Sequence, residues 1–554
     1  MKSIRIIGYW FLFLCFTNPL FAQNDPDSVK IPMESVGAAE EILGLQFTPE
    51  ERDSLLKDLK SYLHYYRTMR SLNLSNDVSP ALVFDPTPPA ALFSGQQQPV
   101  VYSEPQHTEV PEDIGELAYY SVRDLGELLR TQRIRSVELT RMYLDRLQRY
   151  GDTLECVITL LEDRALAQAA KADSEIAAGS YRGPLHGIPY GIKDLFAVQG
   201  ARTTWGAMPY KDQVIHRDAT VVKKLQDAGA VLVAKLTLGA LAWGDVWYGG
   251  TTRNPWNPEQ GSSGSSAGSA AATAAGLVPF AIGTETWGSI VSPSDRCGTT
   301  GLRPTFGRVS RTGAMALSWS MDKIGPIARS VEDCAIIFDA IRGPDGVDRS
   351  VKDVPFNYTP DIQLNQIKVG YASALFEEDY PTREFDLRTL DRLRSLGVEL
   401  HAIDLPDTPV EPLSIILGVE AAAAFEELTL SDSDDLMVRQ IRNAWPNVFR
   451  ASRFIPAVEY IQANRIRSLL IEQMAAVMKD IDVFVTPSFG GDQMLLTNLT
   501  GHPCVVLPNG FREEGTPASI SFIGQLYDEA TVLAFARVYQ EATDYHLQHP
   551  PLFP

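Results

Sequence analysis

From about Ile114 to the C-terminus, helical and strand-like segments alternate along the chain, and this alternation limits the fold more than any other feature. A short apolar run from Cys156 to Leu161, for example, precedes an alanine-rich, helix-forming stretch from Asp163 to Ala178. Alternation of this kind is typical of an α/β domain around a parallel or mixed sheet. Further strand candidates are residues 231–234, 367–371, 483–485 and 504–507. We therefore expect one α/β domain over residues 113–554.

The N-terminus has the pattern of a secretory signal peptide. Two basic residues precede an apolar run over residues 6–16, and Ala22 stands before a polar stretch. The run is too short to cross a bilayer, which takes about 20 residues. We expect residues 1–22 to be a signal peptide, and the protein to be exported to the periplasm or the extracellular space with no membrane span. A lipid anchor on Cys15 is the alternative, although Leu14 before it is not the small residue that such signals normally carry.

Residues 23–112 are expected to form a helical appendage and a connector rich in Pro and Gln. The segment from Thr48 to Glu51 has the pattern of a capped helix start, and apolar residues recur at helical spacing from there to about Met69. This helix needs a partner surface for its apolar face and could form a homodimer contact. From Ser79 to Glu112, seven prolines favour an extended connector that docks on the main domain or leads to a partner.

The charge balance is acidic, with 69 Asp and Glu against 49 Lys and Arg and a formal net charge of −20. This balance offers no basic patch for phosphate backbones, so nucleic-acid binding is disfavoured. The His and Cys residues lack the HExxH or CxxC spacing of metal sites, and we expect neither a metal nor a cofactor. Four cysteines lie far apart and are expected to be buried free thiols: Cys156, Cys297, Cys334 and Cys504.

The first of three segments suited to catalysis ends in Lys193. This lysine follows an apolar stretch bracketed by Gly187 and Gly191, where it would be partly desolvated. Burial disfavours the ammonium, and a pKa lowered by about three units would leave an amine able to act as a base near neutrality. A lone lysine after a strand is otherwise a solvated or ion-paired strand end.

The second segment is a Gly/Ser-rich run from Gly261 to Ser269 that continues into small residues up to Gly276. A flexible linker has this composition, but a linker does not pass into a helix that can pack in a core. The run also matches the G-x-S-x-G nucleophile elbow around Ser266. We regard that match as accidental, because an elbow serine follows a buried strand and residues 253–260 are turn-rich and polar.

The third segment, from Gly283 to Pro293, contains Ser289 in a glycine-rich turn. Glycines let the backbone curl closely around a bound atom, so consecutive N–H groups beside Ser289 can form an oxyanion hole. Taken alone, this segment is better interpreted as an ordinary serine in a tight turn.

Together, in this order and spacing, the three segments resemble the amidase signature family. In that family a G-[IV]-P-x-x-[IV]-K-D lysine, a G-G-S-S-G-G-S run and a G-T-[DE]-x-G-G-S-I serine form a Ser-cisSer-Lys triad. The resemblance implies Lys193 as the base, Ser265 as the bridging serine after a cis peptide bond, and Ser289 as the nucleophile. It covers about Ile114 to Tyr545 and implies a large mixed β-sheet covered by helices on both faces.

Several positions depart from the family pattern. The alternatives to Ser265 as the bridging serine are Ser263 and Ser266, because the run here is Ser-Gly-Ser-Ser-Ala-Gly. Trp287 replaces a glycine of the oxyanion loop, so its backbone must avoid a conformation that only glycine adopts. Val291 stands where many members carry arginine, a variant that is similar to peptide amidases. Arg303 replaces a commoner lysine without an evident catalytic meaning.

These residues predict hydrolysis of a carboxamide C–N bond through a serine acyl-enzyme, with a small-molecule or peptide amide as substrate. The backbone N–H groups of Thr286, Trp287, Gly288 and Ser289 would hold the oxyanion. One alternative is the amidase component of a tRNA-dependent amidotransferase, against which export argues. The other is a non-catalytic binding protein on the same fold. We expect the segment around residues 418–464 to shape the substrate pocket.

Overall fold

A computed structural model describes residues 31–89, 91, 93 and 95–554. The predicted signal peptide at residues 1–22 lies outside the described residues. The chain divides into two compact units, the first ending at Leu74 and the second running from Ser75 to Pro554. Within the described ranges, no helix is both long enough and apolar enough to span a membrane.

The first unit contains two helices, α1 (Met33–Leu43) and α2 (Pro49–Arg70). The predicted capping box is confirmed, since Glu51 N–H donates to Thr48 Oγ1 at 3.3 Å and Thr48 N–H donates to Glu51 Oε2 at 2.7 Å. Several apolar side chains of α2 remain about half exposed, among them Tyr62, Tyr66 and Met69. The homodimer contact of this helix stays a prediction.

The second unit holds fifteen further α-helices among the described residues. They are α3 (Val122–Arg130), α4 (Ser136–Leu154), α5 (Glu162–Ala177), α6 (Thr220–Asp227), α7 (Ala267–Ala274), α8 (Val291–Cys297), α9 (Val331–Ile341), α10 (Ser373–Glu377), α11 (Arg383–Ser395), α12 (Ile415–Ala424), α13 (Glu426–Leu430), α14 (Trp445–Ser452), α15 (Ala457–Val477), α16 (Gln493–Leu499) and α17 (Glu529–Glu541).

In the described part of the chain, eleven strands form one sheet, and four short strands form two hairpins outside it. In chain order the strands are β1 (Val157–Leu160), β2 (Pro189–Lys193), β3 (Val231–Leu236), β4 (Val246–Trp247), β5 (Gly250–Thr251), β6 (Arg253–Asn254), β7 (Asn257–Gly261), β8 (Phe280–Glu285), β9 (Thr300–Arg303), β10 (Lys323–Ala328), β11 (Val369–Ala372), β12 (Leu400–Ile403), β13 (Val483–Pro487), β14 (Cys504–Phe511) and β15 (Pro517–Gly524). The spatial order of the large sheet is β1-β3-β2-β8-β10-β9-β14-β15-β13-β11-β12.

The sheet is mixed, as the sequence predicts. Strand β2 runs parallel to both β3 and β8, and β11 runs parallel to β12 and β13. The remaining pairs, such as β8 with β10 and β14 with β15, are antiparallel. All four strand candidates of the sequence fall on strands of this sheet, namely β3, β11, β13 and β14.

Both faces of the sheet are buried. Because side chains alternate across a strand, neighbours point to opposite faces. In β14, Val505 and Leu507 belong to one apolar core, while Cys504 and Val506 belong to another. Helices α9 and α17 contribute to the first core and α15 to the second, whereas α7 packs against β2, β8 and β10. The four predicted free thiols are all buried and unpaired.

Residues 75–112, called the connector from here on, belong to the second compact unit. Asn76 donates to the carbonyl of Ala316 at 2.9 Å and accepts from the Ala316 N–H at 2.8 Å. The Phe84 ring packs edge-on against Phe306, with ring centroids 5.0 Å apart. Although the segment builds no core of its own, scattered polar and aromatic anchors fix it on the α/β domain.

Residues 253–260 also differ from the expected irregular turn. They contain β6 and most of β7, which pair as a small antiparallel hairpin. This hairpin is outside the large sheet and only partly buried. It therefore does not supply the buried strand that precedes a nucleophile elbow.

A buried ion pair between Arg308 and Glu529 fixes the start of α17 on the domain. Arg308 Nε lies 2.9 Å from Glu529 Oε2, and neither side chain is exposed. Glu529→Gln should lower the free energy of unfolding by about 3 kcal/mol or more, since it leaves a buried guanidinium without its counter-charge. Glu513→Gln, at an exposed carboxylate, is the matched control and should change it by less than about 0.5 kcal/mol. Denaturant unfolding measures the free energy of unfolding of both variants. Equal values for the two would contradict a stabilising role of the Arg308–Glu529 ion pair.

Candidate active site

The site lies at one edge of the sheet, where two parallel strands end. Strands β2 and β8 pair in parallel, with Ile192 opposite Ile282. Their carboxyl ends therefore meet at the same edge, which places Lys193, the last residue of β2, beside Thr284 and Glu285 at the end of β8. The Gly/Ser-rich run before α7 reaches the same edge, since Ser266 N–H donates to the carbonyl of Ser289 at 3.2 Å.

Lys193 is completely buried and has only hydroxyl groups around its amine. Its Nζ lies 2.8 Å from Ser265 Oγ, 3.1 Å from Ser266 Oγ and 2.8 Å from Thr284 Oγ1. It forms no ion pair within the described chain. Burial therefore holds the pKa of Lys193 well below its ordinary value of 10.5, and the more distant carboxylates of Asp322 and Glu285 oppose this shift only in part.

Ser265 and Ser266 both contact Lys193, but their hydroxyl groups differ in how many further hydrogen bonds they can form. Ser266 Oγ donates to the carbonyl of Thr284 and accepts from the N–H of Thr284, each at 3.1 Å. With the lysine as a third partner, its hydrogen-bonding capacity is full. Ser265 is 1% exposed and has Lys193 as its sole hydrogen-bond partner in the described part of the chain. Its hydroxyl can still exchange a proton with a further group.

Ser263 is turned away from the lysine. Its Oγ lies 2.6 Å from Ser292 Oγ, and its N–H donates to Asp245 Oδ2 at 3.0 Å. The peptide bond between Gly264 and Ser265 is cis, as the family resemblance implies. Gly264 accepts no larger residue, because a Cβ there would lie 1.9 Å from the Gly244 carbonyl oxygen. Of the three candidate bridging serines, the structure thus leaves Ser265 both close to Lys193 and unsaturated.

Ser289 lies in the turn between β8 and α8 and is partly exposed, unlike the lysine. Within the residues that the structure describes, the N–H groups of Thr286, Trp287, Gly288 and Ser289 donate to no protein acceptor. Gly288 has a φ of +80°, whereas Trp287 is outside the left-handed region. The positive φ that the turn requires thus falls on the glycine, and Trp287 fits with an ordinary backbone conformation.

Glu285 fixes the turn that contains Ser289. Its Oε2 accepts the N–H groups of Ile290 at 2.8 Å and Val291 at 3.0 Å, and its Oε1 accepts from Arg303 at 2.9 Å and Asn498 at 2.8 Å. Burial alone would raise the pKa of Glu285, but the Arg303 guanidinium and these hydrogen bonds lower it to about 2. The carboxylate is therefore charged and fully bonded, and Arg303 acquires a structural role that the sequence did not indicate.

Asp322 fixes the same turn through its contact with Thr286. Its Oδ1 accepts from Thr286 Oγ1 at 2.6 Å, and its Oδ2 accepts the N–H groups of Leu317 and Ser318 at 2.8 and 3.0 Å. Burial raises the pKa of this carboxyl group. Through these contacts the residues before β10 fix the conformation of Thr286.

A cavity of about 150 Å³ adjoins the site. Thr284 and Thr286 form part of its wall, and most of the rest comes from the connector around Asn76 and from residues 311–324 and 347–348. Leu195, Arg217 and Ala242 complete it. None of its described lining residues belongs to residues 418–464. The expectation that this segment shapes the substrate pocket is therefore not met at this cavity, whose wall includes the connector and residues 311–324.

Sequence reasoning singled out Lys193, Ser265 and Ser289, whose catalytic roles stay predictions, and missed the residues that surround and fix them. Thr284, Glu285 and Asp322 were absent from the prediction, although the first two lie within the same glycine-rich motif as Ser289. A carboxylate at the end of an otherwise apolar strand was the available signal for Glu285, since a charge there needs a partner. Nothing in the local sequence of Asp322 indicates its contact with Thr286.

Comparisons with known proteins agree with this geometry. The family model described as Amidase matches residues 138–533. A glutamyl-tRNA(Gln) amidotransferase subunit from Moorella thermoacetica is 32% identical over 489 residues, which is 79% of this chain and 99% of the relative. The protein of the same name from a Roseiflexus species is 34% identical over 482 residues, 78% of this chain and 98% of the relative.

A solved structure of similar fold is the native peptide amidase of Stenotrophomonas maltophilia, with a TM-score of 0.70 and 29% identity. The match covers 79% of this chain and 99% of that one. The family model spans well over half of the chain, and both curated relatives exceed 30% identity over nearly their whole length. The protein therefore belongs to the amidase signature family.

Proposed function

We propose that this protein hydrolyses the C–N bond of a linear carboxamide through a serine acyl-enzyme, and that Ser289 is the nucleophile. The observation that carries the proposal is the complete burial of Lys193 next to Ser265 without a carboxylate partner. An amine in such surroundings loses its proton easily and can act as a base near neutral pH. Members of this family hydrolyse amide C–N bonds, which agrees with the same chemistry here.

Protons pass between the nucleophile and the base through Ser265. An alcohol is a weak nucleophile until a neighbouring group takes its proton. Since Ser266 already donates its hydroxyl proton to the carbonyl of Thr284, Ser265 is the hydroxyl that can donate to Nζ of Lys193 while accepting the proton of Ser289. The same relay in reverse protonates the leaving ammonia or amine, and water then releases the acid product.

The free N–H groups of Thr286, Trp287, Gly288 and Ser289 form the oxyanion hole in this mechanism. Each donor that contacts the tetrahedral oxyanion contributes about 3 kcal/mol to its stabilisation in comparable enzymes. Their lack of protein acceptors is what an oxyanion hole requires, because donors already bonded within the protein cannot turn to a ligand. Glu285 fixes the next two N–H groups and so keeps the four free donors in place.

The names of the curated relatives support a second candidate, the amidase component of a tRNA-dependent amidotransferase. The predicted export of this chain argues against it, since a secreted protein meets no aminoacyl-tRNA, and so does the acidic charge balance. Release of ammonia from a simple amide by the isolated protein, with neither tRNA nor a partner protein present, supports the hydrolase. Release only in the presence of both would support the amidotransferase.

Substitution of the three proposed catalytic residues tests the triad. Ser289→Ala should abolish turnover, and Lys193→Ala should reduce kcat by several orders of magnitude, because each removes a group that the chemical step needs. Ser265→Ala should cost far more activity than Ser263→Ala, whose hydroxyl contacts Ser292 instead of the lysine. Ammonia release from a panel of simple amides and C-terminal peptide amides measures the activity of all four variants. Near-normal activity of Ser289→Ala or Lys193→Ala would refute the assignment.

A fluorophosphonate probe separates the enzyme from a non-catalytic protein on the same fold. The folded wild-type protein should form an adduct on Ser289, because the probe reports an activated serine. Intact-protein mass spectrometry detects the adduct, and the Lys193→Ala variant is the control in which labelling should be strongly slowed. Folded wild-type protein that remains unlabelled would favour the binding protein.

The pH dependence of kcat/KM tests the state of Lys193. The base must be deprotonated, so activity is lost as pH falls through its pKa and is complete above it. Because burial lowers this pKa well below 10.5, the acidic limb of the kcat/KM profile should lie well below the ordinary lysine range. A steady-state profile over a wide pH range locates this limb. A limb that appears only near pH 10.5, where an unperturbed lysine titrates, would contradict the lowered pKa of Lys193.

Glu285→Gln tests the support of the oxyanion turn. The amide keeps the shape of the side chain but loses the charge that holds the N–H groups of Ile290 and Val291, so kcat should fall by about tenfold to a hundredfold. Steady-state kinetics measure the loss, and thermal unfolding shows how much of it reflects an unpaired Arg303. Unchanged kcat in a folded variant would contradict a positioning role.

A further inference from the structure

A second buried lysine lines the cavity beside the site. Lys323 is the first residue of β10, opposite Glu285 of β8, and is 2% exposed. It belongs to the same cavity wall as Thr284 and Thr286. Its ammonium donates to the carbonyl of Met321 and forms no ion pair in the described part of the chain. Its nitrogen thus has a single protein acceptor, although it carries at least two N–H donors.

The other charged groups of the cavity wall already have partners. Arg217 pairs with Asp77 at 2.6 Å, and Arg311 pairs with Asp348 at 2.9 Å. Asp322 accepts three hydrogen bonds from neutral donors. Among the charged residues described in this wall, the lysine is therefore the one cation whose counter-charge is missing.

A further unused donor belongs to the same wall. The indole N–H of Trp319 is buried and has no acceptor among the residues that the structure describes. A buried donor without a partner costs about 1–3 kcal/mol, so the unpartnered Trp319 N–H, together with a lysine that has no counter-charge, favours a ligand that supplies acceptors. Much of the remaining wall is apolar, with Leu195, Leu317 and Ile324.

We propose that this cavity receives the acyl half of the amide substrate, and that Lys323, assisted by the Trp319 indole, binds a carboxylate at the far end of that acyl chain. The substrate class is then an amide whose acyl part also carries a carboxylate, with an aliphatic segment between the two groups. This assignment rests on the proposed amidase function and specifies its substrate.

Binding of a carboxylate should be accompanied by proton uptake. Burial and the nearby Arg303 and Arg467 hold the pKa of Lys323 well below its ordinary value, while Glu285 and Asp322 oppose this shift. A bound carboxylate would raise that pKa, so binding should take up protons at any pH between the pKa of Lys323 in the free protein and its pKa in the complex. Calorimetric titration with glutarate in buffers of different ionisation enthalpy measures the uptake.

Matched substrate pairs test the specificity. Succinamate, glutaramate and adipamate differ from butyramide, valeramide and hexanamide in having a carboxylate where the simple amide has a methyl group. At least one acid should exceed its isostere in kcat/KM by about tenfold or more, the factor expected for a hydrogen bond to a charged group. Lys323→Met and Lys323→Gln should reduce this ratio to near one.

Lys224→Met is the matched control, because its ammonium also donates to backbone carbonyls but does not line the cavity. The ratio should be unaffected in this variant. A wild-type enzyme that hydrolyses the simple amides as well as the acids, or Lys323 variants that keep the full preference, would overturn the proposal.

Direct binding separates this proposal from the function on which it rests. Wild-type protein should bind glutarate more tightly than valerate in the calorimeter, whether or not it turns over any amide. Glutarate binding without ammonia release from any substrate would reject the hydrolase and keep the carboxylate site. Ammonia release without preferential binding of glutarate, or of its shorter and longer homologues, would reject the carboxylate site and keep the hydrolase. Since these measurements use the wild type, they test the carboxylate site even if the Lys323 variants fail to fold.

Discussion

The site depends on an amine kept away from both water and carboxylates. Lys193 is fully buried with three hydroxyl groups as partners, and a charged ammonium is unfavourable in such surroundings. The parallel pairing of β2 and β8 brings this lysine to the strand ends where Thr284 and the turn with Ser289 begin. The chemistry that we propose follows from this one placement, since a solvated lysine would remain protonated at neutral pH.

A carboxylate that could pair with Lys193 lies nearby, but its oxygens are already bonded to other groups. Glu285 belongs to the strand next to β2, yet Arg303, Asn498 and two backbone N–H groups saturate its oxygens. A carboxylate bound in this way fixes the turn and forms no ion pair with Lys193. The neighbouring Lys323 also lacks a counter-charge, which makes the cavity wall complementary to an anionic ligand.

The connector forms part of the cavity wall. Its hydrogen bonds from Asn76 to Ala316 attach it to the residues that precede β10, so a segment outside the three family motifs contributes to the cavity. The curated relatives are matched over nearly their whole length but cover only 78–79% of this chain. Specificity in this protein can therefore differ from theirs even where the catalytic residues agree.

The sequence by itself determined the α/β class and the strands β3, β11, β13 and β14, because periodicity is a local property of the chain. The roles of Lys193, Ser265 and Ser289 came from the family resemblance and stay predictions. The tertiary structure decided which serine stays unsaturated beside the lysine, which N–H groups remain free, and which side chains hold the turn. Glu285 meets Arg303 and Asn498, and Asp322 meets Thr286, only after distant segments pack together. Burial and partner choice depend on those long-range contacts, and no local pattern encodes them.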